Sequence, residues 1–92
     1  MRVRERAILA VAVILRQRGA PPGTVIRLVP DGRGGVAFRL APPSFGDRVF
    51  QHLRTPVLAL AADLVPLRNL ILDATLTPDG PRLRVGRRPD DG

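Results

Sequence analysis

Three polar residues within nine positions, Ser44, Asp47 and His52, have the side-chain types that a hydrolase uses as nucleophile, acid and base. A serine three residues before an aspartate is also the pattern that caps the N-terminus of a helix. His52 lies one position beyond the i+4 site at which it would face Asp47 on a helix. We therefore interpret Ser44 and Asp47 as a helix start and predict that the chain is not an enzyme.

The composition excludes most metal and cofactor chemistry. The chain has no cysteine and one histidine, which removes disulfides, thiolate catalysis and zinc sites built on cysteine. The segment DGRGG at 31–35 could form a backbone nest for phosphate, but it lacks the lysine and the following helix of a P-loop. We interpret it as a hairpin turn and expect no metal site and no cofactor.

The basic residues are the remaining chemical signal. All fifteen are arginine, and the formal net charge is +7. The planar guanidinium pairs with phosphate or carboxylate through two hydrogen bonds, so an anionic partner is one explanation. The other explanation is composition, through a GC-rich coding sequence or heat adaptation. Both explanations stay open. Three phenylalanines with no Trp or Tyr give little equipment for stacking nucleic acid bases.

An unbroken apolar run, AILAVAVIL at 7–15, raises the question of a membrane. A spanning helix needs about 20 apolar residues, so the run is too short to cross a bilayer. A signal peptide would begin with a basic segment such as MRVRER, but the charged RQRGAPP stands where a cleavage site should be. We expect no membrane span and a cytoplasmic protein.

The same run predicts a helix over residues 3–18, which ends at GAPPG. A helix that is apolar all round is buried all round, and a chain of 92 residues has little material with which to wrap one. We therefore expect one side to pack on this chain and the other on a second copy. The predicted assembly is a homo-oligomer, a dimer first, with interface residues Ile8, Val11, Ile14 and Leu15.

Two segments have the pattern of β-hairpins, at 23–43 and 69–85. Their alternation predicts these core residues: Ile26, Leu28, Val36, Phe38, Leu40, Leu70, Leu72, Leu76, Leu83 and Val85. If both hairpins joined one sheet, its outer face would present an arginine surface. Its members would be Arg27, Arg39, Arg82 and Arg84, with Arg87 and Arg88 beside them.

Between the hairpins, residues 44–54 are predicted to be a helix, and Thr55-Pro56 resembles the start of a second one. Residues 57–65 of that second segment also fit a strand, and this alternative stays open. The predicted order is α-β-β-α-α-β-β, a small α+β domain over residues 1–86. It consists of two antiparallel hairpins packed against the N-terminal apolar helix and a central helical segment. The polar tail 87–92 is expected to fray.

Two functions of different classes follow from these features. The first is a non-catalytic binding or accessory module whose arginines contact an anionic partner, either nucleic acid phosphates or an acidic protein. The second is a structural or adaptor protein that homo-oligomerises and binds a protein partner through apolar surface. Arginines clustered on one face would favour the first, and arginines spread evenly beside aspartates would favour the second.

Overall fold

The computed structural model describes residues 1–87, and the chain there has seven strands and one helix. The elements are β1 (Arg2–Val3), α1 (Glu5–Gln17), β2 (Val25–Pro30), β3 (Val36–Ala41), β4 (Arg48–His52), β5 (Thr55–Leu60), β6 (Leu70–Thr77) and β7 (Gly80–Arg87). No helix in this part of the chain is long and apolar enough to cross a membrane.

The strands form two sheets. The first has four strands in the order β3-β2-β5-β4, and the second has three in the order β1-β6-β7. Strand β2 pairs in parallel with β5, and β1 pairs in parallel with β6, whereas the other neighbours are antiparallel. The predicted order α-β-β-α-α-β-β is therefore wrong, because residues 1–87 contain one helix and are mostly strand. Only the coarse description, a small α+β domain, is compatible.

The predicted N-terminal helix and the two outer hairpins are present. Strands β2 and β3 form the first hairpin, and β6 and β7 form the second. The turn at 31–35 is closed by the Asp31 carboxylate, which accepts hydrogen bonds from the backbone N–H groups of Arg33 (2.7 Å) and Gly35 (3.0 Å). The two hairpins lie in different sheets, so the single arginine surface predicted for them does not form.

The prediction of a central helical segment is wrong, because residues 48–60 form a third hairpin, β4 with β5. Ser44 and Asp47 are the first and last residues of a β-turn, and no helix starts there. The Asp47 N–H donates to the Ser44 carbonyl (3.0 Å), and the Ser44 N–H donates to the Asp47 carboxylate (2.9 Å). Gly46, at φ +87°, supplies the left-handed third residue that such a turn requires. The Ser-x-x-Asp pattern is thus compatible with a β-turn as well as with a helix N-cap.

Strand β5 confirms the strand alternative for residues 57–60. It lies between β2 and β4, and its residues Val57–Leu60 are buried. A strand covered on both faces carries a continuous apolar sequence, and periodicity cannot distinguish such a run from a buried helix.

The core lies between α1 and the two sheets. Helix α1 contributes Ala7, Ala10 and Val11, and the largest fully buried side chains of the sheets are Leu28, Leu58, Leu60 and Leu72. The helix is not buried all round, because Leu9 and Val13 are 48% and 43% exposed. Three residues of the predicted core are also exposed: Phe38, Leu40 and Leu76.

The β4–β5 turn generates a stability prediction. Its two central residues, Leu53 and Arg54, have φ of +50° and +67°, although glycine and asparagine are the residues that favour this conformation. Replacing the pair with Asn-Gly (Leu53→Asn with Arg54→Gly) should raise the melting temperature by about 10 °C, since each left-handed residue other than glycine or asparagine costs about 1 kcal/mol. Thermal unfolding followed by far-UV circular dichroism measures the change. The Ala-Ala pair, which keeps both Cβ atoms, should give no such gain.

Candidate anion-binding groove

Strands β3 and β7 are edge strands of the two sheets and do not pair with each other. A groove lies between them. The groove has a volume of about 590 Å³ and runs under the C-terminal turn of α1. We call it the basic groove. Its apolar residues are Ile14, Ile26, Phe38, Leu40, Pro81 and Leu83, and its polar residues are Gln17, Arg18, Arg39, Asp79 and Arg82.

Two of the six arginines predicted from sequence meet in the basic groove. Arg39 comes from β3 and Arg82 from β7, and α1 is followed by a third, Arg18, which was not predicted as a site residue. In the sequence, Arg18 belongs to the charged segment RQRGAPP that follows the apolar run. No local pattern links it to residues 39 and 82, because the three meet only when the helix and both sheets pack together.

The other predicted arginines on β7 extend along the same edge. Arg84 is exposed and lies opposite Asp73 in the register of β6 with β7. Arg87 donates a hydrogen bond to the carbonyl of Gly34 in the β2–β3 turn (2.8 Å), which ties the edge of one sheet to the other. A smaller cavity of about 380 Å³ lies beside this contact and shares Phe38 with the basic groove. Arg88 lies outside the described residues.

Arg27 has a structural partner and lies apart from the basic groove. Its guanidinium donates two hydrogen bonds to the Asp47 carboxylate, from Nε at 2.7 Å and from a terminal nitrogen at 2.9 Å. The Asp47 side chain is 1% exposed, and hydrogen bonding to Arg27 holds the pKa of that carboxyl below its usual value. Arg27 lies opposite Arg39 in the ladder, so the two side chains share the face of β2 and β3 that is opposite to Ile26, Phe38 and Leu40. The Arg27–Asp47 pair clamps the turn before β4 onto the four-stranded sheet.

A second pair joins the helix to the three-stranded sheet. Arg6 donates two hydrogen bonds to the Asp73 carboxylate, at 2.5 and 2.6 Å, and these hold the pKa of Asp73 well below its ordinary range. In residues 1–87 the ion pairs are this one and Arg27 with Asp47. The arginines of the basic groove therefore have no carboxylate of residues 1–87 within ion-pair distance.

The predicted oligomer interface is divided by the fold. Val11 is fully buried in the core, whereas Ile8, Ile14 and Leu15 are half-buried and pack against it. The exposed apolar residues of the helix are Leu9 and Val13. With Leu76 of β6 they line a shallow depression, which we call the apolar patch. Because the run is apolar on every side of the helix, its hydrophobic pattern does not distinguish the buried side from the exposed one. The sequence could therefore not show which side faces outward.

Ser44, Asp47 and His52 do not form a catalytic triad. Asp47 precedes β4 and His52 ends it, so the strand separates them by about 16 Å. The Asp47 carboxylate is already occupied by Arg27 and by the N–H of Ser44. Among residues 1–87 no group of three or more His, Cys, Asp or Glu side chains is placed to hold a metal ion.

Comparison with known proteins gives a fold likeness. No protein-family model matches the sequence, and no curated protein matches it at a significant level. Among solved structures, the chain is similar to the crystal structure of IscA with the 2Fe-2S cluster. The match has 23% sequence identity and a TM-score of 0.53, and it covers 94% of this chain and 83% of that one. The likeness shows the fold alone.

The Arg27–Asp47 clamp generates a pH prediction. Asp47→Asn should lower the melting temperature at pH 7 by about 10 °C, because it removes a charged partner from a half-buried guanidinium. The pKa of Asp47 is lowered on folding, so its contribution to stability is complete above the unfolded value of about 3.9 and is lost as the pH falls. The melting curves of variant and parent should therefore converge toward pH 2. Asp63→Asn, at an exposed residue without an ion pair, is the control, and equal melting of the two variants at pH 7 would contradict the clamp.

Proposed function

We propose that this chain is a non-catalytic binding module that holds an anionic partner in the basic groove, with nucleic acid phosphates as the first candidate. The observation that carries the proposal is that Arg18, Arg39 and Arg82, from three separate parts of the chain, all line one groove, with Asp79 as the only acidic lining residue in the described chain. The net charge of +7 also favours a negatively charged partner.

The electrostatics favour an occupant with several negative charges. Arg18, Arg39 and Arg82 all border the groove, and a phosphate bound there would accept paired hydrogen bonds from guanidinium groups. The exposed Phe38 and Leu40 give the groove apolar surface for the sugar or base beside each phosphate. Three phosphate contacts predict that affinity for duplex DNA falls roughly 40-fold between 50 and 200 mM salt.

The iron-sulfur cluster of IscA does not transfer to this chain. Such clusters are held by cysteine thiolates, with histidine replacing some of them in certain centres. This sequence has no cysteine and a single histidine, His52. The donor set does not fit a 2Fe-2S cluster, so we propose no cluster function on the basis of the fold.

The basic groove can be tested by reversing its charge. Arg39→Glu with Arg82→Glu should weaken binding of a fluorescein-labelled random oligonucleotide at least tenfold at 50 mM salt, measured by fluorescence anisotropy. Arg33→Glu with Arg54→Glu is the control, since it changes the net charge equally at two hairpin tips that do not line the groove. An equal loss of affinity in both variants would show that net charge alone drives binding. That result would overturn the proposal that the groove is the binding site. Absence of binding by the parent at low salt would overturn the nucleic acid proposal.

A structural or adaptor role is the second candidate, and the apolar patch is the observation that favours it. Leu9 and Val13 lie on the outer side of α1, and Leu76 is 86% exposed beside them. Exposed apolar residues grouped in this way are a common basis for association with a second copy or with a protein partner.

The patch predicts different outcomes for two neighbouring helix positions. Val13→Asp places a charge on exposed surface, so it should leave the monomer folded and abolish any self-association seen by light scattering. Val11→Asp buries an unpaired charge in the core and should unfold the chain itself. A parent that elutes at 10.0 kDa at high concentration would contradict the homo-oligomer.

A further inference from the structure

A second arginine-lined cavity lies at the opposite edges of the sheets, where β1 and β4 are the edge strands. It has a volume of about 550 Å³. Three arginines line it, Arg2 from β1, Arg48 from β4 and Arg68 from the segment between β5 and β6. We call this cavity the arginine pocket. Its apolar lining includes Val3, Phe50 and Ile71.

The arginine pocket carries positive charge without an internal counter-charge. No acidic residue of the described chain lines it, and none of its three arginines has a carboxylate of residues 1–87 within ion-pair distance. Burial and, secondarily, the charge of Arg48 lower the pKa of the Met1 ammonium, another group at the cavity. A bound anion would remove the repulsion among these groups, because an anion is favoured wherever like charges converge.

The backbone around the pocket is fixed by strand pairing and by the N-terminal ammonium, and the Arg48 side chain has a contact of its own. The Arg48 guanidinium lies 5.2 Å from the centroid of the Phe50 ring, a cation–π contact within one strand. Strand β1 is paired with β6, and the Met1 ammonium donates to the carbonyls of Leu64 (3.1 Å) and Val65 (2.6 Å). The segment that bears Arg68 is therefore tied to β1.

From this arrangement we propose that the arginine pocket binds a phosphate monoester with a flat or apolar organic part, about the size of a nucleoside monophosphate. The three guanidiniums hold the phosphate, since their planar donors match its oxygens. Phe50, Val3 and Ile71 give the organic part an apolar wall. The volume lies within the range of small-molecule sites, which is about 300 to 1,000 Å³. The pocket is formed by different strands from the basic groove, so the two proposals stand or fall separately.

The test is an NMR titration of ¹⁵N-labelled protein with adenosine monophosphate (AMP), adenosine and inorganic phosphate as separate probes. AMP should bind with a dissociation constant below about 1 mM and shift amide signals of β1, β4 and residues 61–69. Adenosine and inorganic phosphate should each bind at least tenfold more weakly, since each supplies half of the contacts. Equal binding of AMP and adenosine, shifts confined to β3 and β7, or no binding at all would overturn the pocket.

Substitutions separate the pocket from general charge. Arg48→Gln should weaken AMP binding at least tenfold, whereas Arg54→Gln, at the tip of the same hairpin, should leave it unchanged. Both residues are exposed, so each variant should keep the amide spectrum of the folded parent. Equal effects of the two variants would overturn the proposal. Arg39→Glu with Arg82→Glu should leave AMP binding unchanged, which distinguishes failure here from failure at the basic groove.

The phosphate could belong to a free nucleotide or to the end of a nucleic acid strand, and one further probe distinguishes them. A dinucleotide with a 5′-phosphate that binds more tightly than AMP would assign the pocket to a strand end. Equal or weaker binding would assign it to a free ester. Binding by the unphosphorylated dinucleotide as strong as by the phosphorylated one would overturn the role of the three arginines.

Discussion

The packing of α1 against both sheets is the interaction on which the rest of the structure depends. Ala7 and Val11 are fully buried, and the helix contacts strands of both sheets. Within residues 1–87 a single helix must cover the inner faces of two sheets, and small residues such as Ala7 and Ala10 allow the strands to approach it closely. The helix packs on both sheets, and the two sheets are not joined by strand pairing, so their edges remain open. Both candidate sites lie at those open edges.

The arginines divide into two groups according to where carboxylates lie. Arg6 and Arg27 each have a bidentate aspartate partner and join elements that are far apart in sequence. The arginines of the basic groove and the arginine pocket have no such partner among residues 1–87. A paired guanidinium contributes to the fold, whereas an unpaired one beside apolar surface is available to an external anion. This distinction, and not position on one sheet face, separates structural arginines from candidate binding residues.

The likeness to IscA concerns the fold and not the residues that hold a ligand. Two chains can share the arrangement of sheets and helix while the residues that hold a ligand differ. Here the absence of cysteine removes the thiolate donors that an iron-sulfur cluster needs, and arginines line the cavities instead.

The sequence by itself determined α1, the two outer hairpins, the positive charge and the lack of thiolate ligands. Each depends on residue type or on contacts within a few positions, such as the turn closed by Asp31. Tertiary structure alone decided that residues 48–60 are a hairpin, because Ser44 and Asp47 fit both a cap and a turn and β5 is buried on both faces. It also decided which side of α1 faces outward and which arginines meet. Those outcomes follow from packing between segments distant in sequence, and a local pattern carries no record of such packing.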